Sequence, residues 1–191
     1  MNTTEHLVEI YYRQKGFFTS SDIKVEHGNN RQFDLLAFNY KTQGICHVEI
    51  NVAHNEHWAD SLEKIKDKME FKFFGKPRNN RPDNLNTDFN KGKTYFNSIK
   101  ETYSKFGFDF QNIIRVWCIW CLPEEANKDK IDDLKNSIAS EYDLNANNFQ
   151  ILLFRDDVLP FLLEKIGTSH YDDELLRTLS LIKEYNKQLK S

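Results

Sequence analysis

The chain has 191 residues, of which 39% are hydrophobic, 14% aromatic and 29% charged, with a net charge of −3. That composition is globular and excludes the aromatic-poor disordered class, and no run of about 18 apolar residues is present to span a membrane. Three cysteines, an odd number lying in apolar stretches, argue against a disulfide framework.

The length suits one domain with a sizeable core. The N-terminus has neither a basic region nor an apolar one behind it, so a soluble cytoplasmic protein is expected. Charge is uneven: Lys64 to Lys105 holds 11 Lys and Arg against 5 Asp and Glu, which leaves the remainder acidic.

In chain order, Thr3 or Thr4 is placed to cap a helix running to about Lys15, with Gly16 as its stop. A short strand over Asp22 to His27 and the turn signal Gly28-Asn29-Asn30 imply a hairpin. Gln32 to Asn39 ("QFDLLAFN") and Ile45 to Ala53 ("ICHVEINVA") are the next two strands, joined by a polar turn. Helical spacing follows from His57 to about Phe74, then a long loop with Pro77 and Pro82 over Gly75 to Asp88; loops of that length in compact domains are usually functional. Helix resumes over Phe89 to Lys105.

Ile113 to Leu122 ("IIRVWCIWCL") reads as a strand covered on both faces. Lys130 to Tyr142 is helical, Phe149 to Phe154 a buried strand, Asp156 to Ile166 a helix despite Pro160, and Tyr171 to Lys190 a closing helix whose early acids and later lysine suit its dipole. The order predicts a mixed α/β sandwich with a three-strand meander followed by helical crossovers.

Strand alternation puts Glu49 and Asn51 on one face with His47 and Ala53, and Val48, Ile50 and Val52 on the other. Asp34 is the only acid of the preceding strand. Carboxylates on adjacent antiparallel strands repel unless a cation lies between them, and oxygen ligands suit Mg²⁺ or Mn²⁺. The plain structural alternative is that both acids sit at strand ends, in water or ion-paired.

Two further patterns invite metal readings. His54 and His57 have zinc-like spacing but no third ligand nearby, so a strand-to-helix connection explains them better. Cys118 and Cys121, three apart in a strand, point to opposite faces and belong to the core. The basic stretch including Lys64, Lys68, Lys72, Lys76, Arg78 and Arg81 is interleaved with Phe71, Phe73, Phe74 and Phe89, and is the candidate surface for nucleic-acid phosphates.

The blocks "TEHLVEIYYRQKGFF", "QFDLLAF" and "CHVEINV", in that order and spacing, resemble the PD-(D/E)XK phosphodiesterases, the restriction-endonuclease-like nucleases. The resemblance covers residues 4 to 74 and, more loosely, the strand from Ile113. It implies a three-layer fold of core order α-β-β-β-α-β with a sheet of about five strands, and a metal-dependent endonuclease acting on nucleic acid, DNA first. It further implies Mg²⁺ or Mn²⁺ held by Asp34, Glu49 and the Ile50 carbonyl, with Glu5 tuning the site or holding a second ion. Cutting both strands of a duplex would call for a homodimer.

The chain departs from the pattern where Asn51 replaces the motif lysine and where Gln32 occupies a position often acidic. A lysine there places the attacking water and offsets growing negative charge, whereas Asn51 brings hydrogen bonds without charge. Three readings stay open: Asn51 is a tolerated variant that orients the water, a lysine from elsewhere (Lys24 or Lys64) points in, or the site has lost cleavage and the chain binds nucleic acid or a protein partner.

Overall fold

The computed structural model describes residues 2–28, 30–52, 59–76, 95–167 and 170–189. The His54/His57 pair, Arg78, Arg81 and most of the expected basic loop lie outside these residues. The described elements are α1 (Thr3–Gln14), β1 (Phe18–Lys24), β2 (Gln32–Asn39), β3 (Gly44–Asn51), α2 (Leu62–Phe74), α3 (Phe96–Lys105), β4 (Ile114–Ile119), α4 (Lys128–Glu141), β5 (Phe149–Leu153), α5 (Leu159–Lys165) and α6 (Glu174–Gln188).

The strands form one sheet in the order β1-β2-β3-β4-β5. β1, β2 and β3 are antiparallel, whereas β3, β4 and β5 run parallel, with helices between them in sequence. Each interior strand sends alternate residues to two separate cores. Trp117 and Ile119 of β4 pack with Ile65, Met69 and Phe73 of α2, Ile99 and Tyr103 of α3, and Ile138 of α4. Val116 and Cys118 pack on the opposite face with Leu7, Val8 and Tyr11 of α1 and Leu162 of α5. The result is an α/β arrangement of helices, mixed sheet and helices, which buries both faces as parallel strands require.

Local chemistry sets the ends. Asn2, rather than Thr3 or Thr4, caps α1: its side chain accepts from the Glu5 N–H at 3.0 Å while Glu5 Oε2 accepts from the Asn2 N–H at 2.7 Å. β1 begins at Phe18, earlier than the sequence suggests, because an edge strand alternating between exposed and half-buried residues carries little apolar signal. Pro160 falls in the first turn of α5, where no backbone N–H is needed. Cys121 lies just beyond β4 and not within it, and Cys46, Cys118 and Cys121 are all free thiols. Among the described residues no helix is long and apolar enough to cross a membrane.

Arg115 of β4 is fully buried. Its guanidinium donates to the carbonyls of Ile113 at 3.0 Å and Phe110 at 2.9 Å and lies 4.3 Å from the Phe110 ring and 5.3 Å from the Phe74 ring. Burial holds its pKa below the usual arginine value. The cation thus ties the lead-in to β4 to the end of α2 through aromatic faces and backbone oxygens. Arg115→Ala should therefore cost on the order of 3 kcal/mol by urea denaturation, since it strands two carbonyls and removes the ring contacts. Arg115→Met, which refills the space and removes a buried charge, should cost less than half as much.

Candidate active site

The antiparallel ladder between β2 and β3 runs from Asn39↔Gly44 to Leu35↔Val48 and stops there. The next opposed residues are Asp34 and Glu49. In place of a ladder bond, the Ile50 N–H donates to Asp34 Oδ2 at 2.8 Å. β1 is irregular at the same level: its pairing skips Asp22 and Asp34, and Asp22 has φ 54°. The two acids therefore face each other where the hairpin opens, as the sequence spacing suggests.

Glu49 is completely buried and Asp34 is 8% exposed. A buried carboxylate must find charge and hydrogen-bond partners or stay protonated. Glu49 finds them on two sides. His47, two residues back on the same face, lies with Nε2 2.8 Å from Glu49 Oε1, and its Nδ1 is 2.5 Å from the Tyr103 hydroxyl. Lys72 Nζ stands 2.5 Å from Glu49 Oε2 and 3.4 Å from Asp34 Oδ1. The ammonium is thus the charge partner of the buried Glu49 Oε2 at contact distance.

The proton order of this network follows from its ionisation. Burial pushes the Tyr103 hydroxyl up, so it stays protonated and donates to His47 Nδ1. Burial likewise drives the His47 pKa well below 6.5, which keeps the ring neutral and leaves Nε2–H to donate to Glu49. The Glu49 carboxyl is raised by burial against the pull of Lys72. Burial works against the Lys72 ammonium too, but Glu49 and Asp34 more than offset it and hold its pKa above 10.5. With both acids ionised, two carboxylates share one ammonium and the group keeps a net negative charge.

Lysine reaches this place from a helix. Lys72 lies in the last turn of α2, while Lys24 is exposed at the end of β1 and Lys64 is in the first turn of α2 beside Ser61 and Asp67, away from the acids. One turn before Lys72, Lys68 pairs with Asp60 and its Nζ lies 3.5 Å from Asn51 Oδ1. The Asn51 amide donates to Asp60 at 3.3 Å. Asn51 is thus engaged in a side network next to the acids.

Other expected residues are placed elsewhere. Glu5 is held in the capping box of α1, which packs on the face of the sheet opposite Glu49. The buried acid of that helix is Glu9, bonded to Arg13 at 2.7 Å and Thr19 at 3.0 Å. Lys76 is paired with Glu70 and Glu141, both at 2.8 Å, and so is spent within the fold. His47 and Tyr103 also belong to the site, although the sequence pattern does not mark them as site residues. The signal for His47 was its shared face with Glu49; Tyr103 is 54 residues from Glu49 and gave none.

Asp34 and Lys72 also form part of the wall of a cleft of about 470 Å³, whose bottom is closed by Val25, Phe33 and Ile99 and whose rim carries Arg31 and Gln32. Glu49 and His47 stand behind that wall.

Comparison of the chain with protein-family models, curated proteins and solved structures finds no match. The chemistry must be read from the site itself. As a cation site, it offers oxygen donors of the kind that suit Mg²⁺ or Mn²⁺: two carboxylates that share the Lys72 ammonium and, when both are ionised, outweigh its charge. Mg²⁺ is commonly held by one or two carboxylates and completes its shell with water and phosphate. Among the described residues no cluster of three or more His, Cys, Asp or Glu is poised for a metal.

The Asp34 carboxyl is pushed from 3.8 to about 6, first by burial and then by the Glu49 charge, with Lys72 and the Ile50 N–H opposing. An acid whose folded pKa is raised contributes stability that is complete below its unfolded pKa and is lost as pH rises through the folded one. The metal-free protein should therefore weaken between about pH 4 and about pH 6 on account of Asp34. Asp34→Asn, which cannot ionise, should match the wild type near the lower limit and become the more stable by roughly 3 kcal/mol near neutrality. Urea titrations across that range measure the gap; a gap independent of pH would mean that Asp34 ionises normally.

Proposed function

We propose that this chain is a metal-dependent phosphodiesterase of the restriction-endonuclease-like fold that cleaves nucleic acid, DNA first, with Lys72 in the role of the motif lysine. The observation that carries the reading is the Lys72 ammonium between Asp34 and Glu49, 3.4 Å and 2.5 Å away, where the hairpin opens. An acid pair with a lysine beside it is the chemical set this reaction needs, and here the lysine comes from α2 instead of β3. The mixed sheet with a β1-β2-β3 meander and helical crossovers supports the same reading.

In this reading Asp34, Glu49 and the Ile50 carbonyl hold Mg²⁺ or Mn²⁺. These residues would hold an ion able to polarise the phosphate and to lower the pKa of a water. Lys72 stays protonated and offsets charge that grows on the phosphate oxygens. His47 and Tyr103 fix the Glu49 carboxylate, as partners behind a metal ligand do. Asn51 and Lys68 border the site and can hydrogen-bond a phosphate or water, which leaves Asn51 a supporting role.

A second reading is favoured by Asn51 itself and by the fact that Lys72 meets both carboxylates unaided. It makes the chain a nuclease-fold module that has lost cleavage and keeps binding of nucleic acid or a protein partner. Two measurements separate the readings. Calorimetric titration with Mn²⁺ should give heat in the wild type and none in Asp34→Ala or Glu49→Ala; a silent wild type would sink the enzyme reading. Lys72→Ala should keep the heat, because it removes a competing cation, yet cut phosphodiesters roughly 10²–10³ more slowly.

A further inference from the structure

The closing helix α6 and its C-cap turn an apolar stripe to solvent. Leu181 is 67% exposed, Ile182 46%, Tyr185 62% and Leu189 66%. Apolar side chains grouped in this way, unlike single ones, mark an interaction surface. The helix cannot roll to bury them, because its other side is fastened. Its N-cap, Asp173, holds His6 of α1 at 2.6 Å; Ser180 Oγ donates to the Gly167 carbonyl at 2.9 Å, and Lys183 Nζ to the Ile166 carbonyl at 2.7 Å. Leu175, Leu176 and Leu179 pack against the core that α1 and α5 share.

We propose that the occupant of this stripe is α6 of a second copy of the chain, docked antiparallel about a two-fold axis. The residues around the stripe select that occupant. Thr178, Leu181 and Tyr185 have the alternating three and four spacing of a helix-pair seam. One flank of the seam carries Arg177 and Glu184, seven apart; the other carries Leu175, Ile182 and Leu189, also seven apart. In an antiparallel pair each flank lies beside the same flank of the other copy. Arg177 of each copy then meets Glu184 of the other, and in that register Ile182 meets Leu175. A parallel pair would instead lay Arg177 and Glu184 along Ile182 and Leu189, desolvating charge against hydrocarbon. Both charges are free to pair: the Arg177 side chain touches the His170 ring at 3.4 Å and Glu184 the Gln188 amide at 3.4 Å, and neither is ion-paired among the described residues. A contact that is its own complement closes as a dimer. It adjoins α1 and α5, on the face of the sheet opposite Glu49, and is independent of the phosphodiesterase reading. One helix from each copy is a small interface, so the dimer should dissociate at roughly 1–100 μM.

The test is sedimentation equilibrium on the full chain across a concentration series, in EDTA and without nucleic acid. The wild type should pass from monomer to dimer, and Leu181→Lys, at an exposed position, should stay monomeric throughout. Arg177→Glu and Glu184→Arg, each of which turns two opposite-charge contacts into like-charge ones, should weaken the dimer roughly tenfold. The double variant Arg177→Glu with Glu184→Arg restores both contacts and should return to within about threefold of the wild type. A wild type that stays monomeric to about 500 μM overturns the proposal, as does a dimer indifferent to Leu181→Lys. Single reversals without effect, or a double variant no tighter than either single one, overturn the antiparallel pairing and the proposal with it. Circular dichroism of dilute samples identifies a variant that has lost its helix, and the double variant, compared with the folded single one, then decides.

Discussion

Burying the Glu49 carboxylate inside a sheet costs several kcal/mol unless its charge and lone pairs are met, and much of the structure near it can be understood as the meeting of that demand. His47 satisfies one oxygen from the same strand. Lys72 neutralises the other from α2, and Tyr103 of α3 holds the histidine. Phe33 and Phe73 then pack on the His47 ring at 4.2 Å and 4.9 Å, closing the network off from water. A network of this kind is worth having only when complete, because the low dielectric that strengthens each bond also penalises any group left over. The Glu49 oxygen that meets Lys72 lies on the side of Asp34 and the cleft wall.

The pairing of α2 with β3 has a metric basis. Residues four apart on a helix rise about 6 Å and share a face, and residues two apart on a strand advance about 6.6 Å and share a face. Lys68 and Lys72 can therefore meet Asn51 and Glu49 with no distortion of either element, the later lysine meeting the earlier strand residue as an antiparallel approach demands. Buried Ile65, Met69 and Phe73 anchor the same helix on the sheet. The amphipathic spacing that fixes the helix also fixes where its two ammonium groups fall.

Much of this was legible in the sequence because it depends on short-range periodicity. The bounds of β2 and the faces of Val48, Glu49 and Ile50 follow from alternation, and the doubly covered character of β4 follows from its nearly unbroken apolar run. What was not legible depends on contacts distant in sequence. Neither Lys24 nor Lys64 reaches the acids; Lys72 does, and choosing among three lysines requires the crossing of α2 over the sheet. The bounds of β1 are not legible because edge strands lack an apolar signature, and the place of Tyr103 is not legible because nothing local ties a helix tyrosine to a histidine 56 residues earlier. Glu5, expected at the site, is held in the capping box of α1, a role that an acid in the first turn of a helix also suits.

Asn51 then acquires a physical rationale. Its amide oxygen faces the Lys68 ammonium while its nitrogen donates to Asp60, so the position asks for an acceptor and a donor at once. Lysine has three donors and no acceptor. Placed at 51, it would take away the oxygen that accepts from Lys68 and the amide that donates to Asp60, and would bring a further ammonium close to Lys68. Like charges at such spacing are destabilising on a helix or sheet surface and more so where water is scarce. With Lys72 already between the carboxylates, a neutral amide is the residue that lets both lysines of α2 keep their places. The amide of β3 and the inward lysine of α2 thus belong to one arrangement, in which Asp34, Glu49 and Asp60 meet the two lysines of a single helix face.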